Sequence, residues 1–134
     1  MININIKEMN SLEIGLYIVA TPIGNLADLS TRAKLILESV DIVVCENPNH
    51  SLKLLNNLGI KKKLLSLHDY NEISLIKRIE KYQHNSSIAL ISDAGSPLIS
   101  DPGYNLVRDY INKNLMITSV PGASSIIPAL QLSG

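Results

Sequence analysis

Three segments combine glycine, proline and polar side chains in a way that suits holding a small polar molecule. Ser92 to Gly103, SDAGSPLISDPG, sets two Asp, two Gly and two Pro in twelve positions. Gly95 has no side chain, so backbone groups there can approach a ligand closely. Pro97 and Pro102 stiffen the segment and lower the entropy lost on binding. Asp93 can accept hydrogen bonds from an ammonium or a ribose hydroxyl, or else brace a turn. Asp101, ahead of Pro102 and Gly103, reads as a helix N-cap. Thr21 to Asn25, TPIGN, offers Gly24 for a second close approach. Pro121 to Ser125, PGASS, leads into a helix that Ser124 and Ser125 can cap. Titratable groups stand in ENPNH (Glu46 to His50) and HDYNE (His68 to Glu72). Neither GxGxxG nor GxxxxGK[ST] occurs, so the common dinucleotide and P-loop readings lose support.

These segments need elements to position them. Short aliphatic runs recur at Leu16 to Ala20, Asp41 to Cys45, Lys63 to Leu67, Ile88 to Ser92 and Leu115 to Val120. They are apolar on both faces, as strands of a covered parallel sheet are. Between them lie amphipathic stretches at Leu29 to Ser39, Ser51 to Leu58, Ser74 to Tyr82, Tyr104 to Asn112 and Ser124 to Leu132. Asp28 and Ser30 are candidate N-caps for the first helix, and Gly59 suits the position just past the second. The alternation predicts an α/β domain: a five-stranded, mostly parallel sheet with helices on both faces. Every chemistry-bearing segment follows the carboxyl end of a strand, while the opposite connections (ESV, NLGIKK, HNSS, NKN) are plain. Ligands of such sheets bind at the carboxyl rim.

Composition sets the outer limits. The 134 residues are 46% apolar and 18% charged, enough for one domain with a core built from Ile, Leu and Val. Lys plus Arg equals Asp plus Glu, giving a net charge of zero. A stand-alone nucleic-acid binder carries a basic excess, so any RNA contact is expected to be local or supplied by other parts. Cys45 is the one cysteine; it ends a buried strand and reads as a core residue, in keeping with a reducing cytoplasm. No metal site is expected. No apolar run approaches the ~18 residues of a membrane span. Residues 1 to 15 read as a polar N-terminal extension without the features of a secretory signal. Lys61 to Lys63 read as a solvated turn. His68 and Asp69, as neighbours, point apart, which weakens an acid–base pair.

Taken together, TPIGNLADLS, LHDYNE, ISDAGSPLISDPG and VPGASS resemble the N-terminal domain of the ribosomal RNA cytidine-2′-O-methyltransferases, in the tetrapyrrole methylase superfamily. The likeness runs from about Leu16 to Gly134. The corrin and sirohaem methylases of that superfamily resemble GxGPGD in the first loop and GGDP in the fourth, and neither is present here. The resemblance implies S-adenosylmethionine as cofactor, bound in a cleft between two α/β domains, of which residues 16–134 form the first. It implies cofactor contacts from Ile23 and Gly24, from Asp93, Ala94, Gly95, Ser96 and Ile99, and from Ser124 and Ser125. It implies a ribose 2′-hydroxyl of small-subunit ribosomal RNA as acceptor. Glu46 and His50, on a rim loop, are the candidate general bases. In one place the pattern departs: the family usually has EDTRH where Glu46 to His50 read ENPNH, and loss of the Arg removes a phosphate contact. The chain reaches Gly134 where the family begins its second domain, so a fragment that is inactive alone and self-associates, as a homodimer, is the expectation. A tetrapyrrole-type small-molecule methyltransferase and a non-catalytic domain remain as alternatives.

Overall fold

A computed structural model describes residues 12–134. The predicted N-terminal extension therefore lies mostly outside the described residues. The elements alternate as β1 (Gly15–Val19), α1 (Thr31–Ser39), β2 (Ile42–Cys45), α2 (Pro48–Asn57), β3 (Lys63–Ser66), α3 (Glu72–Ile79), β4 (Ser87–Ile91), α4 (Tyr104–Asn112), β5 (Ile117–Val120) and α5 (Ile126–Leu132). The strands form one sheet in the order β3-β2-β4-β1-β5. All four pairings are parallel. The expected α/β class holds, and "mostly parallel" becomes wholly parallel within the sheet.

Side-chain alternation divides the core into two layers. Tyr17, Val19, Val43, Cys45, Ala89 and Ile91 face Ala33, Ile36 and Leu37 of α1 and Leu55 of α2. Leu16, Ile42, Val44, Ile88 and Leu90 face Leu75 and Ile79 of α3 and Leu106 and Tyr110 of α4. Successive residues of each strand thus supply opposite layers, as the pleat requires. The faces follow from the winding. From β1 to β2 to β3 the chain steps one way across the sheet; from β3 to β4 to β5 it steps back. Crossovers of one hand put the helices of the two directions on opposite faces.

Local chemistry sets the helix starts. Ser30 Oγ accepts from Ala33 N at 3.1 Å and begins α1, while Asp28 lies in a preceding 3-10 turn. Asn47 Oδ1 accepts from Asn49 N and His50 N at 3.1 and 3.3 Å, and Pro48 occupies the first turn. α2 therefore begins three residues before the expected Ser51, and ENPNH is a helix start instead of a loop. A capping residue followed by proline is a strong start signal. Asp101 is not a cap: Gly103 holds the cap position of α4, with φ +127° and no side chain to offer. Ser125 precedes α5 without a side-chain capping bond. α5 buries no residue, and Ile126, Ile127, Leu130 and Leu132 are exposed. No helix among the described residues is long and apolar enough to cross a membrane.

Candidate functional site

The strand order places one crevice by topology. β1 and β4 are neighbours, yet the chain leaving β1 runs towards β2 and the chain leaving β4 runs towards β5, on the other side. Two adjacent strands whose exits diverge leave a gap above their carboxyl ends, and ligands of open α/β sheets bind in such gaps. The segments above it are TPIGN and SDAGSPLISDPG.

The crevice is built from backbone. Thr21 N donates to Gly95 O at 2.9 Å and Gly95 N donates to Thr21 O at 3.0 Å, an antiparallel bridge joining the two loops. Beneath it, Thr21 Oγ1 donates to Ser92 O at 3.2 Å, and Ser92 Oγ donates to Gly95 O at 3.1 Å. Ser96 Oγ donates to Ala123 O at 3.3 Å and ties in the loop after β5. Gly95 has φ +81°, and a Cβ there would lie 3.2 Å from Ile23 Cγ2. Gly24 has φ +145° with open space where a Cβ would be. Leu98 and Ser100 also hold positive φ, 73° and 68°. Strained residues of this kind persist where surrounding structure fixes them, and they gather at ligand sites.

A cavity of about 460 Å³ opens beside the bridge, lined by Thr21 to Leu26, by Asp93 and Ala94, and by His50, Lys53, Leu54 and Asn57 of α2. Five of the residues singled out from sequence meet there: Ile23, Gly24, His50, Asp93 and Ala94. Gly95 and Ser96 follow Ala94 in the loop but are not among the lining residues, and Ser124 lies against Gly95, its Cα 4.0 Å from where a Cβ would stand. Ile99 is exposed on the same loop. Glu46, just past the carboxyl end of β2, is not among the residues that line the cavity, whereas His50 is. Lys53, Leu54 and Asn57 were missed. They follow His50 at helical spacing, and that stripe is readable once α2 is started at Pro48.

The rim is acidic. Partial burial, then Asp93, Asp101 and Asp69, push the Glu46 carboxyl above the usual glutamate range. Partial burial and Asp93 do the same to Asp101. Asp93 Oδ1 is buried with no hydrogen-bond partner among the described residues. Burial raises the Cys45 thiol, as suits a core residue. The His68 and Tyr70 rings lie with centroids 6.3 Å apart. No group of three or more His, Cys, Asp or Glu among the described residues could hold a metal ion.

Comparison with known proteins agrees with this geometry. The sequence profile of the Tetrapyrrole (Corrin/Porphyrin) Methylases matches residues 15–134. The chain is 50% identical over 127 residues to Ribosomal RNA small subunit methyltransferase I of Pasteurella multocida (strain Pm70), covering 94% of this chain and 45% of that one. It is 49% identical over 129 residues to the protein of the same name from Rickettsia prowazekii (strain Madrid E), covering 91% and 44%. The chain thus spans less than half the length of these curated relatives. Uroporphyrin-III-C-methyltransferase from Thermus thermophilus superposes with a TM-score of 0.65 at 20% identity, over 90% of this chain and 51% of that one, and so shares the fold. A crevice at the β1/β4 divergence, the matching fold and the matching profile lead to one conclusion: the chain belongs to the tetrapyrrole (corrin/porphyrin) methylase family.

Proposed function

We propose that this chain holds S-adenosylmethionine at the β1/β4 crevice and serves as the methyl-donor domain of an enzyme that methylates a cytidine ribose 2′-hydroxyl in small-subunit ribosomal RNA. The observation that carries the reading is the glycine-rich crevice closed by the Thr21–Gly95 bridge. The names and 49–50% identity of the ribosomal RNA methyltransferases narrow the acceptor.

The residues present fit that cofactor. Gly24 and Gly95 leave the backbone open where side chains would intrude. Asp93 carries a buried oxygen without a partner, suited to an ammonium or ribose hydroxyl. Ile23, Ala94 and Leu54 give the cavity apolar walls that exclude water. Ser96, Ile99, Ser124 and Ser125 extend the same rim. When bound, the sulfonium supplies an electrophilic methyl group and leaves as a neutral thioether. The chain's own work is then alignment and proton removal. His50, in the cavity wall, is one candidate base for a ribose hydroxyl. Glu46, its carboxyl raised by partial burial and by Asp93, is the other. Lys53, beside His50, offers a cation to a phosphate or carboxylate.

Residues 16–134 form the cofactor-binding domain in this reading. A zero net charge and an acidic rim give RNA little to hold, so the RNA-binding surface belongs to a further domain or a partner, a second copy of the chain included. The exposed apolar side chains of α5 support such a contact. The test has two arms: calorimetry of the chain with S-adenosylhomocysteine, and tritium transfer from labelled cofactor to small ribosomal subunits with and without the modification, using the chain alone and joined to the remaining length of its relatives. Binding by the chain, with transfer to unmodified subunits only by the longer protein, is expected. No binding overturns the cofactor reading. Transfer to a tetrapyrrole instead of the subunit overturns the acceptor.

A further inference from the structure

Among the described residues, Glu72 is the one charged side chain that is buried, at 6% exposure. It stands in the first turn of α3, yet its carboxylate serves α4. Asn105 N and Leu106 N donate to Oε1 at 2.8 and 3.1 Å, and Asn105 Nδ2 donates to Oε2 at 2.9 Å. Those two amides belong to the first turn of α4, where an N-cap side chain would normally accept them. Gly103, the residue at the cap position, offers no side chain. A Cβ at Gly103 would also come 3.0 Å from both Leu90 Cδ2 and Leu98 Cδ2, and φ +127° strains any side chain there, so a local cap is disfavoured. Glu72 therefore caps α4 from another helix.

The turn before Glu72 is itself locked. Asn71 Oδ1 accepts from His68 N at 2.9 Å, and Asn71 Nδ2 donates to Ser66 O at 3.0 Å. The HDYNE segment thus joins the end of β3 to the start of α4. α4 is where the loop Ser92 to Gly103 ends. One end of that loop is held by the Thr21–Gly95 bridge, and the other by Glu72. Between them, Leu98 and Ser100 hold positive φ, conformations that relax unless both ends are fixed.

We propose that Glu72 is a positioning residue for the cofactor site, fixing the far end of the fourth loop so that Asp93 to Ile99 keep their binding geometry. The proposal rests on the cofactor reading above. Its test compares the chain with Glu72→Ala, Glu72→Gln and Lys113→Met, the last loosening the opposite end of the α3–α4 pair, away from the loop. For each, S-adenosylhomocysteine affinity is measured by calorimetry at a temperature where circular dichroism shows full folding, and amide hydrogen exchange is followed by residue. Glu72→Ala is expected to weaken affinity about five- to tenfold, the scale of a lost cap, and to lose protection across residues 93–106. Glu72→Gln, which keeps an acceptor for both amides, should recover most of the affinity. Lys113→Met should leave it unchanged. Glu72→Ala binding as tightly as the unaltered chain overturns the proposal, as does an equal loss in Lys113→Met. An unaltered chain that binds nothing overturns the cofactor reading first, and is told apart because it is measured without any substitution.

Discussion

Thr21 and Gly95 exchange both of their backbone hydrogen bonds, at 2.9 and 3.0 Å, although 74 positions separate them. This pair lies just past the carboxyl ends of β1 and β4 and converts two separate loops into one surface. Its partners are main-chain groups, so side-chain identity matters mainly through φ and through space.

Gly95→Ala is therefore expected to cost stability as well as affinity. At φ +81° an L-residue is strained, and the new Cβ would press on Ile23 Cγ2 at 3.2 Å. The expected loss is about 1–2 kcal/mol, measured by urea unfolding. Gly95→Val, with a branched side chain at the same strained position, should lose more. An alanine variant as stable as the parent would show that the loop relaxes freely.

Tyr110→Phe should be neutral or stabilising, by up to about 1 kcal/mol. Tyr110 is fully buried, and its hydroxyl has no hydrogen-bond partner among the described residues. Burial also drives the phenol pKa strongly upward. A clear drop in melting temperature would mean that the hydroxyl finds a partner.

Asp109→Ala should destabilise by about 1–3 kcal/mol. Asp109 Oδ2 accepts from the buried Gln83 Nε2 at 2.7 Å and from Lys113 Nζ at 2.9 Å. Lys113 Nζ also reaches Glu80 Oε1 and Gln83 Oε1, each at 3.1 Å. Removing the carboxylate leaves the Gln83 amide buried without an acceptor. Asp109→Asn keeps an oxygen and should cost less; equal losses in chemical denaturation would argue for charge alone.

Glu46→Gln should raise stability at neutral pH and leave it unchanged in acid. The folded pKa of Glu46 is raised, so its protonated form is the better tolerated one. Stability from that preference is present below the ordinary glutamate pKa and falls as pH rises through the raised value. The neutral amide removes the fall. Glu46 is largely solvated, which keeps the gain below about 1 kcal/mol. Melting temperatures of both forms from pH 4 to about pH 8 decide it; curves that stay parallel would remove Glu46 from the acidic cluster.

The strands and their order of appearance were legible because aliphatic runs such as Asp41 to Cys45 have one physical use, burial on both faces. The rim was legible because glycines and prolines crowd one end of the sheet. Pairing was harder: nothing local in Leu16 to Ala20 says that its neighbours come from Ser87–Ile91 and Ile117–Val120. The start of α2 was misplaced because its apolar pattern sets in only with Leu54, Leu55 and Leu58, whereas Asn47 and Pro48 spell a cap and first turn. Glu72 escaped because capping normally comes from the residue just ahead of a helix, whereas here it crosses 33 positions.

The strand order also sets a timetable. β1 emerges first during synthesis, but both of its partners, β4 and β5, emerge late. Until Ser87 to Ile91 have been made, an aliphatic strand stands with two open edges, a template for pairing with the wrong chain. β2 and β3 can pair much sooner. Closing contacts across so long a stretch is slow, because the chain entropy of the loop is lost before the sheet returns any stability. The nascent chain is thus most prone to aggregation after β1 has appeared and before β4 has, and chaperone capture or a pause in translation has its greatest effect in that interval.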